Sequence, residues 1–428
     1  MKKEKGTLHF GTHLRTGAFL RAARANKSVP FWSVPFFVAT AVALALFIGL
    51  LPSASQAVKA AQDAIYDQVE LLAEAITIIQ NEYVDPVAPK EMIYGALRGL
   101  VGSLDPHSQF LDPDAYTEMQ VDTKGEFGGV GLEITISKEG MLTVVAPIDD
   151  TPAAKGGLKP NDKITKIDGQ ALREVSLHEA VKRLRGRPGT RVTLTILRES
   201  ESRLFDAVLT RSIIQIHSVR QARWVTPGIS YIRITEFQDN TPRDLRKALQ
   251  EMRAGGFEGL ILDLRNNPGG LLDVAVEVAE IFLEKGKPIV STKGRVKGQN
   301  LEFISRSENP LLAFPMVILV NNGSASASEI VAGALKDHRR AILMGTKTFG
   351  KGSVQTVIPL KDGSAIRLTT AKYYTPSGVI IHGRGLEPDV VVEEKAPPGA
   401  REPKSEEDPL ILRAVDLLKG LKVLKGKS

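Results

Sequence analysis

Residues 317–330 read Val-Ile-Leu-Val-Asn-Asn-Gly-Ser-Ala-Ser-Ala-Ser-Glu-Ile, and the fold turns on how this stretch is read. The apolar run Met316–Val320 is a short buried strand. Asn321-Asn322-Gly323 is turn chemistry, and Ala325–Leu335 has helical character. Ser324, Ser326 and Ser328 alternate with alanine at the junction. A serine at a strand-to-helix turn is well placed for nucleophilic attack, because free backbone N–H groups and the positive helix end stabilise developing negative charge. A serine that merely caps the helix gives the same pattern, and the residues alone leave both readings open.

A nucleophilic serine needs a base. Of the seven histidines, His338 lies toward the far end of the same helix, away from Ser326, within the charged run Lys336–Arg340. His9, His13, His107, His178, His217 and His382 form no metal-ligand spacing, so no cofactor is expected. Lysine is the alternative base. Thr348-Phe-Gly-Lys-Gly-Ser-Val-Gln355 sets a lone lysine between glycines beside an apolar run. Lysine serves as a base when desolvation or a nearby positive charge makes its neutral amine accessible. The phosphate-loop glycine spacing before Lys-Ser is absent. A second glycine element, Leu262-Asp-Leu-Arg-Asn-Asn-Pro-Gly-Gly270, also follows a buried strand and opens a helix. Its glycines suit either an oxyanion site or a turn needing positive φ.

Outward from these elements, strands at Ile229–Ile234, Gly259–Leu264, Met316–Val320 and Ala341–Met344 alternate with helices at Thr241–Met252, Leu271–Leu283 and Ala325–Leu335. That order implies α/β layering with a mainly parallel sheet. Upstream, residues 119–211 form a β-rich module with strands at Val130–Ile136, Leu142–Ala146, Lys163–Ile167 and Arg191–Leu197 and a short helix at Leu177–Leu184. Residues 58–118 read as helical, with helices at 59–84 and Glu91–Leu104. The core runs over 212–395, and 396–428 is a linker followed by an amphipathic helix, Pro409–Leu424. The fold class is multidomain α/β.

The chain has 428 residues, 43% of them hydrophobic, with no cysteine. That excludes general disorder, disulfide scaffolds and thiol catalysis. The formal charge of +7 and pI near 9.3 at first suggest a nucleic-acid partner. Residues 1–29 carry seven basic side chains against Glu4, so the rest of the chain is almost neutral. Phe36–Leu51 behind them is nearly all apolar. A basic segment before an apolar core, within residues 1–57, is a secretory signal or a membrane anchor, with Ser55-Gln56-Ala57 offering small residues for cleavage. Export to the periplasmic side of the inner membrane follows from this reading, and a nucleic-acid role does not.

Together, Asn322-Gly-Ser-Ala-Ser-Ala-Ser-Glu-Ile330, Phe349-Gly-Lys-Gly352 with Gln355, Leu264-Arg-Asn-Asn-Pro-Gly-Gly270 and Leu104-Asp-Pro-His-Ser108 resemble the carboxyl-terminal processing peptidases, the tail-specific proteases. The resemblance runs from about Ala64 to Asp389. It implies a Ser/Lys endopeptidase with a core related to crotonases and Clp-type peptidases. On that pattern Ser326 is the nucleophile, Lys351 the general base and Gln355 the orienter of the lysine amine. Gly269 or Gly270 shares an oxyanion hole with Ala327. The β-rich module resembles a PDZ domain. Phe127–Ile134 matches its carboxylate loop and groove strand, with Gly129, Val130, Gly131, Leu132 and Ile134 as peptide-binding positions and Leu177–Leu184 as the groove helix. The resemblance implies capture of protein substrates with apolar C-termini. It also implies self-association, is compatible with an adaptor protein, and leaves Arg185 either coupling peptide binding to the active site or solvated at the helix end. Two other readings compete. One is a membrane-tethered PDZ scaffold with an inactive core, which the intact Ser326, Lys351 and Gln355 oppose. The other is a crotonase-like acyl-CoA enzyme, which the export segment and PDZ module oppose.

Overall fold

The computed structural model describes residues 54–172, 175–253, 255–393 and 408–425. The apolar stretch Phe36–Leu51 and the basic segment before it lie outside the described residues. Among the described residues, no helix is long and apolar enough to cross a membrane. The chain divides into two units, residues 1–92 and 93–428. In the first, Ala54–Glu82 forms one helix whose Tyr66, Val69, Leu72 and Ile79 are exposed.

The second unit is built on a six-stranded sheet in the order Val219–Thr226, Ile229–Ile234, Gly259–Asp263, Met316–Val320, Ile342–Gly345, Val390–Val391. All neighbours are parallel except the antiparallel edge pair of the first two strands. Every residue of Gly259–Asp263 and of Met316–Val320 is buried, as expected where a parallel sheet is covered on both faces. One face carries helices Thr241–Arg253, Leu272–Glu280 and Ala327–Asp337 through Leu245, Leu249, Val278, Val331 and Leu335. The other face is covered by the tail helix Pro409–Lys425 through Leu410, Ile411, Ala414 and Leu418, against Tyr231, Ile261, Val317 and Leu319. The mainly parallel α/β sheet inferred from the alternation is therefore present.

A second sheet, entirely antiparallel, did not emerge from the sequence. Its strands are Gln109–Leu111, Ala365–Tyr374, Pro288–Gly294 and Leu301–Ile304 in that order, with Ser353–Pro359 also paired to Ala365–Tyr374. Its members alternate weakly between buried and exposed positions, and the 353–359 pairing contains a register shift. The period-two signal is correspondingly faint. Helix Pro113–Lys124 was not among the expected helices and crosses the expected boundary at residue 118. Asp112 is its N-cap, accepting from Ala115 N at 3.0 Å, and turns and caps use the same residues.

The β-rich module is a sheet ordered Leu132–Ile136, Leu142–Pro147, Lys163–Ile167, Arg191–Arg198, Arg203–Thr210, all antiparallel. The expected strand from Val130 is broken. Glu126–Gly129 pairs separately with Ser212–Gln215, Gly131 turns the chain at φ 79°, and the next strand starts at Leu132. A Cβ on Gly131 would lie 2.3 Å from Thr151 Cβ, so this turn requires glycine. Helix Leu177–Leu184 starts on Ser176, whose hydroxyl accepts from Glu179 N.

Candidate active site

Two loops and one helix start meet at the C-terminal ends of the parallel strands, where ligands sit in open α/β sheets. The first element is the turn after Met316–Val320. Ser326 immediately precedes the helix Ala327–Asp337 and has φ 55° and ψ −114°, a strained conformation for a residue with a side chain, costing about 1–3 kcal/mol. The three serines separate clearly. Ser324 donates to Leu264 O at 2.7 Å and Ser328 to Asn267 O at 3.0 Å, so both hydroxyls brace the glycine loop. Ser326 faces the phenol of the buried Tyr373 instead.

The strain at Ser326 is held by Glu329, one turn into the helix and fully buried. Its Oε2 accepts from Ser326 N and Lys351 N, each at 2.9 Å. Its Oε1 accepts from Gly350 N at 2.7 Å and from Thr348 Oγ1 at 2.5 Å. One carboxylate therefore fixes the serine turn and the lysine loop to each other. Burial pushes the Glu329 carboxyl above its ordinary range, against the opposing pull of these four donors.

The lysine loop runs over Thr348–Gly352. Gly350 and Gly352 lie against segment Ile381–Gly385, where a Cβ on Gly352 would sit 2.2 Å from His382 N. Lys351 is half-buried. Burial first, and the Arg367 charge second, push its ammonium below the usual lysine range. Its Nζ makes no hydrogen bond to Ser326 or Gln355 in this conformation. Gln355 donates to Ser353 Oγ at 2.8 Å and reaches Thr369 Oγ1 at 3.5 Å. Thr369 is in turn clamped by the Leu104–Ser108 turn. Asp105 accepts from His107 N, from Ser108 N and Oγ, and from Thr369 Oγ1. His107 of that turn is depressed by burial and then by the Lys351 charge. His338 bonds Pro288 O at 2.7 Å, away from the serine.

The glycine loop closes the site. A Cβ on Gly269 would lie 2.7 Å from Ser326 Cβ and 3.0 Å from Ala327 N, and one on Gly270 would lie 2.2 Å from Phe237 O. Gly269 N donates to Asn267 Oδ1 at 2.9 Å. Among the described residues, neither Gly270 N nor Ala327 N has an acceptor. The loop is stapled to the serine turn by Asn266 N to Asn321 Oδ1 at 2.9 Å, Asn321 Nδ2 to Asn266 Oδ1 at 3.0 Å, and Ala325 N to Asn267 O at 3.0 Å.

In the β-rich module, Leu132–Ile136 is an edge strand, with Leu132 and Ile134 facing the module core. Val130 is buried in that core. Gly129 pairs with Ser212, and Gly128 O accepts from Gly186 N at 3.0 Å. The end of helix Leu177–Leu184 is held by Arg211, which donates to Leu184 O at 3.1 Å and Arg183 O at 2.8 Å. Arg185 follows, its guanidinium 4.8 Å from the Phe127 ring centroid. The sequence singled out Ser326, Lys351, Gln355 and the glycines. It missed Glu329, Tyr373 and Asn267. Glu329, three residues after the serine, was visible as a capping-box acid, whereas Tyr373 carried no local signal.

A strained serine at a helix start, free N–H groups beside it and a half-buried lysine are the parts of a serine-type hydrolase. Comparison with known proteins narrows the class. Residues 228–392 match the model of peptidase family S41, residues 143–198 that of a PDZ domain, and residues 50–115 that described as the activating protease CtpB N-terminal domain. The carboxy-terminal-processing protease of Bartonella bacilliformis is 45% identical over 336 residues, covering 78% of this chain and 76% of that protein. The carboxyl-terminal-processing protease of Synechocystis sp. is 37% identical over 421 residues, covering 93% and 95%. Among solved structures, a photosystem II D1 C-terminal processing protease is 32% identical, covering 76% of this chain and 92% of that one, with a TM-score of 0.43. The chain belongs to the carboxyl-terminal-processing peptidases of family S41, serine-type peptidases carrying a PDZ domain.

Glu329→Gln tests the central carboxylate. An amide cannot accept from all four donors, and stranding one of them costs about 1–3 kcal/mol. Because the folded carboxyl titrates above the unfolded one, its contribution to stability is full below the unfolded value and is lost as pH rises through the folded value. Urea unfolding across that range should show this downward slope in the parent and lose it in the variant.

Proposed function

We propose that this peptidase cuts protein chains with a Ser/Lys dyad, Ser326 attacking the scissile carbonyl and Lys351 accepting its proton. The reading rests on one observation: of three alternating serines, only Ser326 keeps its hydroxyl free of the backbone, at a strained turn beside two unpartnered N–H groups. The hydroxyl adds to the carbonyl carbon, and the oxyanion is received by the N–H groups of Gly270 and Ala327. Gly270 is preferred over Gly269, whose N–H is engaged by Asn267. The tetrahedral species collapses to an acyl-enzyme as the amine leaves with a proton from Lys351, and water reverses the sequence. Burial and Arg367 favour the neutral lysine that the first step needs. Gln355 orients the amine once Lys351 swings from its present position toward Ser326. Apo catalytic geometry is often looser than that of the substrate complex.

Residues 119–211 supply substrate recognition. An extended C-terminus adds to the free edge of Leu132–Ile136, with Gly129, Val130 and Gly131 offering backbone N–H groups to its carboxylate. Apolar last residues suit the groove beside Leu177–Leu184. Arg185, between the groove helix and Phe127, couples occupancy to residues 212–395. Residues 1–57 hold or export the chain, so the enzyme works in the cell envelope, at the inner membrane. The exposed apolar stripe Tyr66, Val69, Leu72, Ile79 supports self-association.

Purified Ser326→Ala and Lys351→Ala should each lose cleavage of an unfolded protein with an apolar C-terminus while keeping the parent's circular dichroism. Full activity in either would overturn the dyad. Arg367→Gln removes a like charge, so its Lys351 should titrate higher. The rising limb of kcat/KM against pH should move to higher pH, and an unchanged limb would exclude the Arg367 contribution. Arg185→Ala should lose stimulation by a C-terminal peptide, and retained stimulation would count against coupling.

A further inference from the structure

The charged residue of the glycine loop has a role that the proposed mechanism does not use. Arg265 follows the strand Gly259–Asp263 and begins the loop that ends at Gly270. Strand alternation sends Leu260, Leu262 and Leu264 to the face of the catalytic helix, and Ile261 and Asp263 to the face of the tail helix. Arg265 is turned to that second face, where its side chain is 11% exposed. Its Nε lies 3.0 and 3.1 Å from the two oxygens of Asp263, and one terminal nitrogen lies 2.7 Å from Asp263 Oδ2. The same nitrogen reaches Asp408 Oδ2 at 2.7 Å. Asp263 is wholly buried, and also accepts from Tyr231 at 2.7 Å and from Arg265 N at 2.9 Å.

Asp408 is the other end of this bridge. Its second oxygen accepts from Leu410 N at 2.9 Å and its carbonyl from Leu412 N at 3.1 Å, so it also caps the tail helix. One carboxylate thus starts the C-terminal helix and grips the first side chain of the glycine loop. An arginine held between two buried carboxylates is expensive to desolvate, and apolar residues would pack the same space at less cost. The bridge returns geometry: Arg265 fixes the origin of the loop, while Asn266, paired with Asn321, and Asn267, whose carbonyl accepts from Ala325 N and Ser328 Oγ, pin its middle to the serine turn.

We propose that Arg265 and Asp408 are positioning residues, through which the C-terminal helix holds the glycine loop in register with Ser326. The tail then completes the active site without touching substrate. This rests on the reading of Gly270 as an oxyanion donor. The loop must place one N–H within a few tenths of an ångström of the developing charge, and an ångström of slack in such a group costs up to about 100-fold in rate.

The test uses the full chain carrying Asp408→Asn, beside Lys422→Ala, which removes the exposed tail-helix ion pair to Glu258 and leaves the bridge intact. Cleavage kinetics and inhibition by a peptide boronic acid, whose tetrahedral adduct carries the oxyanion, are measured below each protein's Tm. Asp408→Asn should lower kcat about 10- to 100-fold with KM within about twofold, and weaken the boronate in parallel. Lys422→Ala should change neither. Parent-like kcat and boronate affinity in folded Asp408→Asn would overturn the proposal, as would losses matching the unfolded fraction alone. If Asp408→Asn does not fold, Arg265→Lys, which keeps the charge and loses the two-carboxylate grip, must show the same split, and parent-like kcat there is equally fatal. A parent that does not bind the boronate, or an active Ser326→Ala, would instead refute the catalytic reading beneath the proposal.

Discussion

The site depends on one buried carboxylate. Glu329 receives the N–H of the strained serine, two N–H groups of the lysine loop and the Thr348 hydroxyl. These donors come from two segments that never pair as strands. Without an acceptor between them, these N–H groups would be left unpaired, and Ser326 at φ 55° would lose the bond to its own N–H. The carboxylate meets both demands, because each of its oxygens accepts two bonds.

Around that centre the molecule is arranged in layers with separate tasks. The parallel sheet delivers three loops to one end: the glycine loop after Asp263, the serine turn after Val320, and the lysine loop after Gly345. The antiparallel sheet carries Gln355 and brings Tyr373 to Ser326. It is tied to the Leu104–Ser108 turn by hydrogen bonds through Asp105 and Ser108. The two surfaces of the parallel sheet differ in kind. Helix Ala327–Asp337 packs on one, and on the other the tail helix packs beside Asp263 and Arg265, which Asp408 bridges to its start. The β-rich module adds a free strand edge and a helix whose end abuts the Phe127–Gly129 segment.

Much of this was legible in advance. Ile229–Ile234, Met316–Val320 and Leu177–Leu184 fall where hydrophobic runs and periodicity put them. Buried runs and amphipathic helices declare themselves locally. The antiparallel sheet did not, because Ser353–Pro359 and Ala365–Tyr374 are only partly buried and one pairing is bulged. The expected strand Val130–Ile136 begins only at Leu132, because Gly131 turns the chain at φ 79° in a place where Thr151 leaves no room for a Cβ, which the β-branched pattern conceals. Nor could the pattern of alternating serines say which hydroxyl leaves the backbone and turns to Tyr373. Ser324 and Ser328 are spent on carbonyls of a loop some sixty residues earlier in the chain.

What the sequence by itself determined is therefore the kind of parts: an alternating α/β core, a β-rich module with a glycine loop, and a serine, a lysine and paired glycines at strand ends. These follow from local propensity and hydrophobic period, which a chain displays without being folded. Only the tertiary structure decided which serine hydroxyl is left off the backbone, which glycine N–H is without an acceptor among the described residues, why Glu329 stands three residues after Ser326, and that the C-terminal helix grips the glycine loop through Asp408 and Arg265. Each of those is a question of where a buried donor finds its acceptor, and the partners are brought together by the packing of the sheet and its helices.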